Sequence, residues 1–134
     1  MSPEKEKILV NKFTKIFDSN FYFECDDGWF NLIHTLCNKI QSYIDWKYAD
    51  LSQEDLEQIQ PRAIQVKEKF GGLRFYCNGG DDFVDGLIAF AEDYSYNICQ
   101  SCSNKATLYK DGWNRSHCQS CEFEYQKKRN GSIS

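Results

Sequence analysis

The chemistry most plainly written in the chain lies near its C-terminal end. In "ICQSCSNKATLYKDGWNRSHCQSC", residues 98–121, Cys99 and Cys102 form one Cys-x-x-Cys pair and Cys118 and Cys121 form another, with 15 residues between them. Zn²⁺ takes four thiolate or imidazole ligands at tetrahedral corners, and each such pair offers two thiolates from one turn of backbone. The spacing predicts one structural Zn²⁺ per chain, bound by Cys99, Cys102, Cys118 and Cys121 in a zinc ribbon. His117 could replace one thiolate, but adjacent residues seldom both ligate from one small knuckle, so it is read as a neighbour. Four protein ligands leave no position for water, which argues against catalysis at the ion. A base deaminase would need His-x-Glu or Cys-x-Glu upstream of Pro-Cys-x-x-Cys, and neither occurs. A pair that follows a helix and is matched by a second pair also differs from the redox arrangement that opens a βαβ unit.

Seven cysteines, four of them paired in this way, suit a reducing compartment better than a disulfide framework. No apolar run reaches 18 residues and the N-terminus is highly charged, so a cytoplasmic protein with no membrane association is expected. With 134 residues and 16% aromatics, the chain can bury a core of its own. Its charge is uneven. Residues 1–98 hold ten basic against seventeen acidic side chains, a balance of −7, whereas residues 99–134 hold six against three, a balance of +3. An acidic body of this kind suits a basic partner better than a nucleic-acid backbone.

The elements that would position these groups follow from periodicity. Apolar spacing predicts a first helix over Glu4 to Phe17 and a second over Trp29 to Trp46, with Asp26 and Asp27 at the second helix's capping positions. Residues 21–23 read as a strand or an extended loop, and a short helical turn is expected after Ser52, closed by Pro61. Alternation from Ile64 to Phe70 and the β-prone run Leu73 to Cys77 predict a hairpin turning at Gly71-Gly72. A third helix begins at Asp82, with Asp85 three residues on approximating a capping box. Its apolar stripe is Phe83, Val84, Leu87, Ile88, Ala91 and Tyr94. The fold class expected is α+β: about three helices with a hairpin or small antiparallel sheet, closed by the C-terminal ribbon. The divisions expected are an acidic body over 1–97, a ribbon packed on it over 98–125, and a basic disordered tail over 126–134.

Two surfaces carry candidate binding residues. Glu24, Asp26, Asp27, Asp81, Asp82 and Asp85 stand around two helix starts, where carboxylates are expected from the helix dipole alone. If those starts converged, they would present an acidic patch to a basic protein. Lys105, Lys110, Arg115, Lys127, Lys128 and Arg129, with Tyr109 and Trp113 among them, could meet phosphates and stack a base. The plainer reading has Trp113 covering the zinc site and the lysines solvated. Cys25, Cys37 and Cys77 read as core residues, and His34 as a helix-face residue without an orienting acid.

At "DDGWFNLIHTLCNKIQ", "VKEKFGGLRFYCNGGDD" and the cysteines around "GWNRSHC", the chain resembles a loosely defined group of small proteins of phage, prophage and variable bacterial genome regions. The resemblance spans about residues 24–121 and assigns no functional residue. It implies a setting in which antagonists of host defence, immunity proteins and small regulators are common. Together with the charge, it points to a non-enzymatic inhibitor or antidote that binds a toxin or host-defence component. The alternative is a nucleic-acid-binding regulator acting through the ribbon and tail.

Overall fold

The computed structural model describes residues 1–131, and its elements are five helices and two small antiparallel hairpins, an α+β fold. Helix α1 (Pro3–Lys12) starts where the Ser2 hydroxyl accepts from the Lys5 N–H. It stops at Lys12, short of Phe17, because Phe13 leaves helical geometry and the chain turns. The turn buries Phe13, Ile16 and Phe17 together, and the Ile16 carbonyl accepts from the Ala63 N–H at 2.8 Å. Residues 21–23 form an extended loop that ends in a single parallel bridge from Glu24 to Lys67.

Helix α2 (Phe30–Lys47) is the spine of the body. Its Ile33, Leu36, Cys37, Ile40 and Ile44 recur at helical spacing and are all buried, each large aliphatic contributing about 1.5–3 kcal/mol by leaving water. Asp26 and Asp27 do not cap it. A 3₁₀ turn over Asp27–Trp29 leads in, and Asp27 instead accepts from the Ser2 N–H at 2.7 Å with Lys5 beside it. Helix α3 (Gln53–Ile59), capped by Ser52, is the short turn expected there.

Strands β1 (Arg62–Lys69) and β2 (Gly72–Asn78) pair antiparallel, with Val66 opposite Phe75 and a bulge between Ala63 and Gln65. Lys69 pairs with Gly72, so the turn falls one residue earlier than expected, at Phe70-Gly71, with φ of +56° and +85°. Gly72 is required for a different reason: a Cβ there would lie 2.4 Å from the Tyr96 ring. Helix α4 (Asp82–Tyr94) packs on β2 and α2 through Val84, Ile88 and Ala91. Its cap is Asp81, whose carboxylate accepts from the Val84 N–H at 3.0 Å, in place of the Asp82–Asp85 arrangement.

A 3₁₀ turn over Ser95–Asn97 leads into the cysteine unit, which contains β3 (Thr107–Tyr109), β4 (Arg115–His117) and α5 (Gln119–Gly131). Hydrogen bonds tie this unit to the body both at the turn before α2 and at the β1–β2 hairpin. The Trp29 indole donates to the Ile98 carbonyl at 3.0 Å, and Gly28 exchanges bonds with Gln100 and Ser103. At the hairpin, Ser116 Oγ donates to the Gly71 carbonyl. A Cβ on Gly28 would stand 2.0 Å from the Cys99 carbonyl oxygen, so Gly28→Ala is expected to cost about 3 kcal/mol, the upper end of overpacking. Chemical denaturation of the variant measures it.

Residues 126–131 are helical, not a disordered tail, because α5 continues through them; 132–134 lie outside the described residues. No described helix is long and apolar enough to cross a membrane.

Candidate functional site

Two local structures bring the four cysteines together. At the first pair the chain folds back so that the Cys99 N–H donates to Asn104 and the Ser103 N–H to Cys99, with Ser103 held at φ +76°. The second pair is not on a hairpin: Cys118 immediately precedes α5 and Cys121 lies in its first turn. The four Sγ atoms lie within 4.8 Å of one another, and those of Cys102 and Cys118 are 3.5 Å apart. All four cysteines are free of disulfides. The Cys121 N–H donates to Cys118 Sγ, and this bond above all holds the Cys118 thiol down to about 7. Burial pushes Cys121 up, so closely set thiols would share protons until a cation displaced them. The donor set and its spacing fit a metal ion held entirely by protein thiolates. His117 is outside this set and remains a neighbour; its Nδ1 lies 3.0 Å from Glu122 Oε1.

Behind the cysteines a buried charge network joins β4 to α5. Arg115 is 1% exposed, and its Nε and one terminal nitrogen lie 2.9 and 2.6 Å from the two Glu122 oxygens. Asp111 takes another bond at 2.8 Å, the Trp113 carbonyl accepts a further one, and the Tyr125 ring covers the guanidinium. Arg115 therefore cannot serve as a phosphate contact, because every face of it is engaged within the fold. Lys105, Lys110, Lys127 and Lys128 are exposed. The Arg129 guanidinium lies against Gly112, 3.8 Å from where a Cβ would stand. Trp113 does not cover the cysteines. It is 70% exposed and lines a cleft with the Phe70 hairpin turn.

The acidic residues fall into two groups that do not converge. Glu24, Asp26 and Asp27 precede α2, whereas Asp81 accepts from the Tyr43 and Tyr48 hydroxyls at the other end of that helix. An 18-residue helix separates the groups by about 25 Å. Asp81 is thus occupied as a cap and tyrosine acceptor, and its carboxyl is held below the usual range by Tyr48, Val84 and Tyr43 against the opposing effect of burial. Glu24 accepts from Gln65.

Around α4, the exposed residues tell more. Phe83 and Tyr94, assigned to the apolar stripe, are each 48% exposed, and Phe90 is 70% exposed. At 100° per residue these three share one side of the helix with Leu87, and Gly86, Asp93 and Asp82 flank them. The Phe83 ring stacks on Tyr43 at 4.3 Å, and Tyr43 leads to the exposed Trp46. Among the described residues, nothing outside the helix's own backbone lies within 4 Å of where a Cβ on Gly86 would stand. Phe90 widens the apolar stripe on the Phe83 side beyond what one buried face needs and Gly86 interrupts a strong helix, and both signals are visible in the sequence.

Cys25 and Cys37 are buried and Cys77 half-buried, and burial raises all three thiols, Cys25 to about 12, which suits core residues. His34 is half-buried on α2 between Phe13 and Phe30, with Lys12 at 3.3 Å. An α+β domain with a four-cysteine cluster is the class these features define. No protein-family model, curated protein or solved structure matches the chain.

Proposed function

We propose that the protein is a non-enzymatic inhibitor or antidote, of the immunity or anti-defence kind, that grips a basic protein through α4. The observation that carries this reading is the exposed face of Phe83, Phe90 and Tyr94 beside Gly86, continued by Trp46 and edged by Asp82 and Asp93. Rigid aromatics in contact with one another are the commonest anchors of protein interfaces. A glycine on an exposed helix face costs about 1 kcal/mol against alanine, and no packing among the described residues accounts for it here. A partner's backbone lying against Gly86 would account for it, with basic side chains reaching Asp82 and Asp93. Of the acidic residues first considered, Asp82 borders this face, Asp85 lies round the helix from it, and Glu24, Asp26 and Asp27 are at the far end of α2.

The metal in this reading is one structural Zn²⁺ per chain. Zinc–thiolate bonds of about 2.3 Å place tetrahedral sulfurs about 3.8 Å apart, which the Cys102–Cys118 distance of 3.5 Å approaches. All four positions are then protein thiolates, and the ion fixes the C-terminal unit without reacting. The localisation in keeping with reduced thiols is cytoplasmic.

The test compares capture from host lysate by the wild-type chain with capture by Phe90→Ser, Trp46→Ser and Gly86→Leu. A basic protein retained by the wild type and lost from these variants supports the reading. Retention by all of them excludes α4. In the free chain, Gly86→Ala is expected to raise stability by about 1 kcal/mol in denaturant melts, because only helix propensity changes.

A further inference from the structure

The tip of the β1–β2 hairpin and the loop between β3 and β4 enclose a cleft of about 520 Å³, within the size range of small-ligand sites. Its walls include Phe70 from the first element and Trp113 from the second, together with Lys67 and Lys69. Both rings are largely exposed, at 64% and 70%. The two walls are held to one another by the bond from Ser116 to the Gly71 carbonyl.

Phe70 is the unusual residue. Its φ of +56° places an aromatic side chain in left-handed geometry, which is disfavoured for every residue with a Cβ and least so for Asn. The turn is of the kind that Asn-Gly fills at little cost. The ring is not repaid by burial, since it stands in solvent at the cleft mouth. Lys69 Nζ lies 5.5 Å from its centre, which places a cation beside a stacking surface. Glu68, the acidic residue of the lining, accepts from the Gly71 N–H at 2.8 Å and is thereby tied to the turn. Arg129 stands against Gly112, which also lines the cleft.

We infer that this cleft binds an unpaired nucleotide, its base stacked on Phe70 or Trp113 and its phosphate met by Lys67 and Lys69. Two exposed rings suit a nucleobase, which has two π faces, and an acidic peptide would use the lysines but leave the rings without purpose. The chemistry is shared by single-stranded nucleic acid and free nucleotides. This inference is independent of the α4 reading and uses a different surface.

The experiment measures fluorescence anisotropy of a fluorescein-labelled single-stranded oligodeoxynucleotide of mixed sequence with the full, metal-loaded chain at low salt. Its duplex, adenosine monophosphate and polyglutamate serve as competitors. Single-strand binding is expected, weakened between about fivefold and about 150-fold by Trp113→Ala and by Phe70→Asn. Lys67→Ala with Lys69→Ala should lower the salt dependence. Phe70→Asn should also raise Tm while it weakens binding, a combination that lost folding cannot produce. Phe90→Ser should leave binding unchanged. Competition by the monophosphate as effective as by the strand itself assigns the cleft to free nucleotides. The inference is overturned if the strand does not bind, if both aromatic variants bind as the wild type does, or if polyglutamate competes and the nucleotides do not.

Discussion

Cys99→Ser and Cys118→Ser are each expected to abolish metal binding and to release the C-terminal unit from its fold. Residues 98–131 take almost no part in the apolar core. The apolar core lies almost wholly between Leu9 and Ala91, and β3 and β4 are three residues each. In small zinc-bound peptides the ion supplies on the order of 10–16 kcal/mol of folding energy, far above what these short strands provide. Amide hydrogen exchange and metal analysis follow the two effects separately. Metal content should fall from one ion per chain to none, and amides of residues 98–121 should lose protection while those of α2 keep it. A variant that retains one ion and melts unchanged would contradict a structural role for the cysteines.

The next largest effect is expected at the Arg115–Glu122 pair. Glu122→Ala leaves the guanidinium buried without its main counter-charge, and breaking a buried pair in this way costs about 3–5 kcal/mol. Arg115→Lys should also be costly, because an ammonium cannot reproduce the two-point contact with the carboxylate. The double substitution Arg115→Met with Glu122→Met should cost much less than the two single changes together, as apolar side chains replace both charges at once. The pH dependence has a definite sign. Arg115 holds the Glu122 carboxyl down from its ordinary 4.5 to about 2, against the opposing effect of burial. Its contribution is therefore fully present above about pH 4.5 and is lost as pH falls toward 2. Denaturant melts of the wild type, Arg115→Met, Glu122→Met and the double variant across that range measure both the coupling and its loss.

What could be read along the chain was what short-range spacing determines. The cysteine pairs were legible because two thiolates from one turn need only a fixed local separation, and α2 because five buried residues repeat at its period. The hairpin was legible too, but its turn was misplaced by one residue, since Gly-Gly meets the positive-φ requirement cheaply and Phe70 meets it at a cost. Arg115 reads as a surface cation because it stands between the polar Asn114 and Ser116 in a short, loop-like stretch. Its partner Glu122 lies seven residues on, in a different element, and only the packing of α5 on β4 joins them. Whether the acidic residues converge depends on the direction of α2 between them, which periodicity does not report. Phe83 and Tyr94 fitted an apolar stripe by spacing, yet α4 buries a narrower band centred on Val84, Ile88 and Ala91 and turns the aromatics outward.

The central claim is that α4 is the partner-facing surface, and amide hydrogen exchange of the captured complex against the free chain tests it most directly. Slowed exchange over residues 82–94, extending to the end of α2 at Trp46, is the predicted result. Protection confined to the hairpin tip and the cysteine unit, with α4 exchanging as in the free chain, would contradict it.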